Sequence, residues 1–408
     1  MRVVNAVEDR VWLTITSPLE GIRVLDLTNV LAGPYCCYQL ALMGAEVIKV
    51  ERPGSGDLAR VLGADAARNK TGMGISFLAQ NAGKKSVTLN MKSERGKAFL
   101  KSLVRTADVL VENFRPGVMN RLGLDYDVLS AENPGLIYCA ISGFGQDGPR
   151  KDDPAYDQIV QGISGVMSIT GASDTAPYRV GYPLADTVGG MTAAFSITAA
   201  LNASPRGAFL DCSMTDAVIS AMGWVVSNYL IGGVHPKAHG NENTTSAPSG
   251  TFETADQQIN IAANRDEQWE TLATLLGRTD LLSHPDFLTR EDRKANRHQL
   301  RAELETVLKT RSSSEWLRAL NAKGVPSGPV LSVPQVLEDP QISGRGLIST
   351  VPMAGEDLQL SGSPVIVDGK RPSPQTAPPG LGADNDEIWS ALGLSQAEIN
   401  ELKEKGVI

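Results

Sequence analysis

Residues 21–54 hold the strongest constraint on the fold. They read Gly21-Ile-Arg-Val-Leu-Asp-Leu-Thr-Asn-Val-Leu-Ala-Gly-Pro-Tyr35 and, after a short gap, Leu42-Met-Gly-Ala-Glu-Val-Ile-Lys-Val-Glu-Arg-Pro-Gly54. Two short β-branched apolar runs, 23–27 and 46–50, flank one helical span. Strand, helix and strand in that order make a crossover unit with parallel strands. The first strand should end near Asp26, and its turn carries Ala32-Gly33-Pro34 where a dinucleotide fold has G-x-G-x-x-G. Without those glycines the backbone lacks the usual close approach to a pyrophosphate, which disfavours NAD. Glu51 and Arg52 close the second strand, where such folds hold the adenosine end of a ligand. The opening suggests a nucleotide-like ligand other than NAD.

The alternation continues through residue 212. Residues 94–106 have helical spacing, with Phe99, Leu100, Leu103 and Val104 on one face, and 109–112, 136–141 and 208–212 read as strands. The pattern predicts an α/β fold, with a large Rossmann-like domain over 19–226 and a long amphipathic helix over 213–231. Character changes after Gly232-Gly233. A polar stretch, 235–250, leads to one strand-like run (258–263) and to helices over 267–276, 293–310 and 313–323. These define a smaller α+β domain over 227–332. Residues 361–380 read as a linker, and helices over 386–392 and 395–405 close the chain, the second capped by Ser395.

With 408 residues and 42% hydrophobic content the chain can fill two cores. Only 5% aromatic residues and 40 glycines favour α/β over a sandwich. A net charge of −8 counts against a nucleic-acid surface, which needs clustered cations. Cys36, Cys37, Cys139 and Cys212 show no C-x-x-C pair and read as buried free thiols, with no metal site. Residues 1–18 read as an extension lacking the apolar core of a signal peptide, no apolar run approaches membrane-spanning length, and a cytoplasmic enzyme is expected.

Further blocks recur in order: Asn81-Ala-Gly-Lys-Lys-Ser-Val-Thr-Leu-Asn90, Ala107-Asp-Val-Leu-Val-Glu-Asn-Phe-Arg-Pro-Gly117, Ile141-Ser-Gly-Phe-Gly-Gln-Asp-Gly-Pro149, Tyr156-Asp157, Pro183-Leu-Ala-Asp-Thr-Val-Gly-Gly190 and Gly324-Val-Pro-Ser-Gly-Pro329. Together with the opening block, the set resembles the class III CoA-transferases, the formyl-CoA and carnitine CoA-transferase group, across most of the chain. The resemblance implies residues 333–408 returning to the large domain and two subunits interlocked as linked rings. Coenzyme A is then a substrate rather than a tightly bound cofactor, and the partners are an acyl-CoA, a small carboxylic acid and a second copy of the chain, without nucleic acid or membrane.

Asp186 is the residue on which the chemistry should rest. Prolines and glycines flank it and an apolar helix, 191–201, follows, so locally it reads as a turn aspartate or a helix N-cap. The resemblance makes it the nucleophile. A carboxylate attacking an acyl-CoA gives a mixed anhydride and CoA thiolate, and the thiolate returns to give an aspartyl-CoA thioester. Such exchange needs charge stabilisation and water exclusion, but no proton shuttle.

Carried over by motif, Arg52 should meet the adenosine or phosphates, and Asn81 to Lys84 should form the turn under the adenine. Asn113 and Phe114 should line the channel, Arg121 should contact a phosphate, and Val30, Leu31 and Ala32 should follow the pantetheine. Ser142 and Phe144 belong to the same path. Formyl-CoA transferases carry lysine where this chain has Ser142, and a tetraglycine loop where it has Gly240-Asn-Glu-Asn-Thr-Thr-Ser-Ala-Pro-Ser-Gly250. Both departures argue against an oxalate/formyl pair. They favour succinyl-CoA with a dicarboxylic acceptor such as glutarate, mesaconate, itaconate or malate. Asn243, Ser246, Ser249 and Arg179 are the candidates for the acceptor's distal carboxylate. Two rival readings stand beside this one. A 2-methylacyl-CoA racemase of the same fold would need a histidine where Tyr156 stands, and a non-catalytic CoA-binding protein would form no adduct.

Overall fold

The computed structural model describes residues 17–353 and 355–408. Of the expected N-terminal extension, residues 1–18, all but the last two lie outside that range. The chain forms two compact units, one holding the residues up to Ser164 with Val180–Val226 and Ser343–Ile408, the other Gly165–Arg179 with Ser227–Ile342. The linear reading leaves the excursion 165–179 in the large domain and begins the return at 333. Neither boundary carries a composition signal.

The first unit is built on six strands: β1 (Arg23–Asp26), β2 (Glu46–Glu51), β3 (Lys85–Thr88), β4 (Val109–Glu112), β5 (Ile137–Ser142) and β6 (Ala208–Ser213). Their order is β3-β2-β1-β4-β5-β6 and every pairing is parallel. Leu25 of β1 lies between Ile48 of β2 and Leu110 of β4. Both faces of the central strands are covered, which is why β4 and β5 read as unbroken apolar runs. The strand order reverses at β1 and β4. Crevices open beyond the carboxyl ends of such strands, so the ligand site is expected after Asp26 and Glu112.

The chain end completes this core. Ile388, Trp389, Ile399 and Leu402 pack with Leu25, Ile48, Val87, Leu110 and Leu100, and Asn385 Oδ1 accepts the Thr88 N–H at 2.8 Å. The closing helices are Asn385–Ala391 and Gln396–Glu404, the second started by a reciprocal Ser395–Glu398 capping pair.

Four elements differ from the linear reading. The span 213–231 is two helices, Met214–Ala221 and Gly223–Gly232, and a glycine at the joint lowers the cost of breaking the helix there. The span 293–310 breaks at Asn296, whose side-chain amide donates to Asp286 O and Asp292 O, both at 3.1 Å. The hairpin Ile348–Met353 with Glu356–Ser361 has no sequence forecast. Helix Leu184–Leu201 is the fourth. By length and composition it could cross a bilayer, contrary to the reading that no run approaches such a length. Its apolarity has a local use, because Ala185, Gly189, Gly190, Ala193 and Ile197 are buried in the first unit.

The second unit has a three-stranded antiparallel sheet of β7 (Ser249–Glu253), β8 (Gln258–Ala262) and β9 (Ser327–Pro329). Helices Asp266–Leu275, Arg297–Leu308 and Ser313–Ala322 enclose Phe252, Ile259, Trp269, Leu300, Leu304 and Trp316. All four cysteines are buried and free.

Candidate active site

Two cavities open at the carboxyl end of the sheet in the first unit. One, of about 670 Å³, is walled by the ends of β1, β2 and β3, including Thr28, Arg52, Asn90 and Lys92, together with Phe114, Val118 and Leu122. The other, of about 220 Å³, is lined by Val30, Leu31, Ala32, Asn113, Phe114, Ser142, Tyr156 and Asp186. Asn29 and Phe114 belong to both. The smaller cavity is lined by the carboxyl groups of Asp186 and Asp153.

The loop between them is held under strain by a buried charge network. Val30 has φ 69°, a left-handed value that is costly for a β-branched residue, by roughly 1–3 kcal/mol. Asp57 Oδ1 accepts the Val30 N–H at 2.9 Å, and Asn113 exchanges two 2.8 Å bonds with the Asn29 backbone. Beneath them Lys49 Nζ donates to Thr28 O at 2.8 Å and pairs with Asp57 at 3.0 Å. Lys84 pairs with Asp26 at 2.8 Å. Burial pushes Asp26 toward neutrality, but Lys49 and Lys84 outweigh it and hold the carboxyl well below the usual range.

Two of the expected site residues belong to that network. Lys84 is buried, bonded to Asp26, Pro34 O and Asn81 Oδ1, and lines neither of these two cavities. Asn81 is buried as well, its amide bonded to Phe77 O. Both support the turn from inside. Arg121 is exposed and lies outside the walls formed by its neighbours Val118 and Leu122, and Phe144 lines neither cavity. Ser142 lines the smaller cavity, its Oγ accepting the Gly145 N–H at 2.9 Å. The linear reading missed Lys92, Arg115 and Lys151, whose only signal is a basic side chain just beyond a strand or in the loop after Gly143.

In the second unit Ser246 and Ser249 are buried, and Asn243 Oδ1 accepts bonds from Thr245 within its own loop. These polar groups are committed to their own fold. A cavity of about 1070 Å³ in that unit is lined instead by His239, Glu242, Arg297, His298 and Arg301.

Asp186 does not sit in a turn. Helix Leu184–Leu201 starts seven residues earlier than forecast, and Asp186 is in its first turn. The N-cap position is Pro183, with no side-chain cap bond, so Asp186 is not a capping residue. Gly189 and Gly190 lie inside the helix because neighbours leave no room: a Cβ would stand 2.8 Å from Met214 Cγ at the first and 2.5 Å from Ala32 O at the second. The close approach seats the helix start against the Ala32 loop. Among the described residues the Asp186 carboxyl makes no hydrogen bond or ion pair. Burial, and then the Asp157 carboxylate, push it up to about 7.

The raised value has a stability consequence. The folded protein binds more protons than the unfolded chain between pH ~4 and ~7, so this group's contribution falls as pH rises through that window. Asp186→Asn should therefore melt a few degrees above the parent at pH 8, roughly 1–4 °C, and no higher at pH 4. Thermal melts across pH check this, and an equal offset at both pH values would contradict it.

A parallel six-stranded sheet with a carboxyl-lined crevice at its carboxyl end defines an α/β fold with its candidate site at the strand-order reversal. The chain belongs to CoA-transferase family III, whose sequence model matches residues 19–385. It is 39% identical over 356 residues to the acetyl-CoA:oxalate CoA-transferase of Acetobacter aceti, covering 86% of this chain and 90% of that one. It is 33% identical over 397 residues to human succinyl-CoA:glutarate CoA-transferase, covering 96% and 90%. A CAIB/BAIF family protein from Brucella suis superposes with a TM-score of 0.81 at 34% identity, over 92% of this chain and all of that one.

Proposed function

We propose that this enzyme moves coenzyme A from an acyl-CoA, with succinyl-CoA as the preferred donor, to a dicarboxylic acceptor such as glutarate, mesaconate, itaconate or malate, with Asp186 as the covalent relay. The observation that carries the reading is the Asp186 carboxyl itself. It is desolvated and unpartnered among the described residues, and it ends a cavity adjoining one of nucleotide size. Structural carboxylates are normally hydrogen-bonded, and a partly buried one without partners is costly to keep.

An Asp186 oxygen attacks the donor carbonyl carbon, the C–S bond breaks, and an anhydride and CoA thiolate result. The thiolate attacks the aspartyl carbonyl and releases the donor acid. The acceptor carboxylate then repeats both steps in reverse and returns Asp186 as carboxylate. No proton is gained or lost. Low dielectric strengthens the attack by an already poorly solvated anion. Because the nucleophile must be ionised, kcat/KM should rise with pH along an acid limb centred near 7, and a flat profile from pH 5.5 to 8 would contradict it.

A screen of acids against succinyl-CoA, read by the mass of the new CoA ester, tests the class. Oxalate belongs in it because of the Acetobacter aceti relative, although Ser142 and the 241–249 loop argue against it. Absence of any new ester across dicarboxylates would overturn the reading. In the larger cavity Arg52→Glu should raise KM for acyl-CoA about tenfold through lost charge pairing, with a smaller effect on the acid. An unchanged acyl-CoA KM would move the nucleotide elsewhere.

The functional form we propose is a homodimer. Met191 and Phe195 are 53% and 74% exposed on helix Leu184–Leu201, and Trp224 and Ile231 are 83% and 87% exposed on Gly223–Gly232. Apolar surface on this scale marks an association face. Light scattering at low micromolar concentration should give twice the chain mass, and a monomer would count against it.

A further inference from the structure

Helix Asp157–Ile163 carries two buried polar side chains that the transfer steps leave unused, Asp157 and Gln161. Four residues apart, they share one helix face. Asp157 Oδ1 accepts the Ala185 N–H at 2.8 Å, and Asp157 Oδ2 accepts from Gln161 Nε2 at 2.8 Å. Gln161 Oε1 accepts the Val180 N–H at 2.9 Å, and its Nε2 also reaches Tyr182 O at 3.3 Å. The segment 180–185 is thus tied to this helix at three backbone points, and the next residue is Asp186. The ties replace what the segment lacks. Its helix starts from Pro183 without a capping side chain, so Asp157 satisfies the Ala185 donor from outside.

We propose that Asp157 and Gln161 clamp the segment carrying Asp186, and that Asp157 is a positioning residue which also sets a fixed negative charge beside the nucleophile. The proposal rests on Asp186 being that nucleophile. The charge has a direction of effect. Resting Asp186 is an anion repelled by Asp157, whereas in the anhydride and the thioester its carbonyl is neutral and the repulsion is gone. A neighbouring carboxylate therefore raises the resting state relative to the acylated one, which favours acylation. A serine or asparagine cap would satisfy the same backbone donor without that bias. The shift of Asp186 names Asp157 as the charge acting on it. The other ionisable groups on the smaller cavity are Arg115, Lys151, Asp153 and Tyr156.

Two variants, read together, separate charge from tether. Asp157→Asn keeps an acceptor oxygen for Ala185 but removes the charge and, with it, the acceptor for Gln161 Nε2. It should move the acid limb of kcat/KM down by about one pH unit and lower plateau kcat about tenfold, with acyl-CoA KM within about twofold. Gln161→Met cuts the ties to Val180, Tyr182 and Asp157 Oδ2 but keeps the charge, so kcat should fall while the limb stays in place. Parental kcat and limb in Asp157→Asn would overturn the proposal. If that protein is recovered poorly, Gln161→Met decides, and parental kcat there would overturn it. An Asp186→Ala enzyme that still exchanges CoA would instead sink the covalent reading. An inactive Asp186→Ala beside a parental Asp157→Asn would sink the clamp alone.

Discussion

Asp186→Asn and Asp186→Ala are expected to lose CoA exchange by at least ~10⁴-fold while still binding acyl-CoA, because neither an amide nor a methyl group can form the anhydride. The loss should fall in kcat, since the missing bond exists only along the covalent path. In the parent, brief exposure to acyl-CoA followed by hydroxylamine should convert the peptide holding Leu184-Ala-Asp186 to a hydroxamate. The structure makes this a selective test. Asp157 already accepts two hydrogen bonds, and Asp211 accepts the Gln146 N–H at 2.9 Å. Label on either of those, or exchange by Asp186→Ala, would refute the mechanism.

Lys84→Ala should act on the fold rather than on KM. Its ammonium is fully buried between Asp26, Pro34 O and Asn81 Oδ1. Removing one partner of a buried pair leaves the other charge uncompensated, at about 3–5 kcal/mol. Lys49 stands 3.8 Å from the same carboxylate and recovers part of that. Denaturant melts should show a large loss of stability, with acyl-CoA KM unchanged in the protein that folds. A normal melting curve with a raised KM would return Lys84 to a direct role in the turn under the adenine that its motif suggests.

Lys84 and Arg52 illustrate where sequence stops being informative. Both are basic residues beside strands, Arg52 just after β2 and Lys84 just before β3. Lys84 is buried against Asp26, Pro34 O and Asn81 Oδ1, and Arg52 lies along the larger cavity. Side-chain direction at a strand end depends on a register of one residue, which motif spacing does not carry. The glycines at 189 and 190 misled for a related reason. They read as helix breakers, yet they are helical because the Ala32 loop and Met214 occupy the space of a side chain. Buried polar ties such as Gln161 to Val180 and Tyr182 are invisible for the same reason, since they join backbone atoms of unremarkable residues.

Local pattern by itself determined the alternating strands and helices, the parallel sheet and the Ser395 cap, because these depend on residues close in sequence, whereas the candidacy of Asp186 came from the resemblance carried by the ordered motifs. Only the tertiary structure decided that Lys84 is buried against Asp26, that Asp157 rather than Asp186 satisfies the helix start, and that Asp186 is left largely desolvated next to a second carboxylate. Those outcomes depend on what packs within a few ångströms from elements far apart in the chain. Burial and like charge, the two quantities that set the behaviour of Asp186, exist only after that packing.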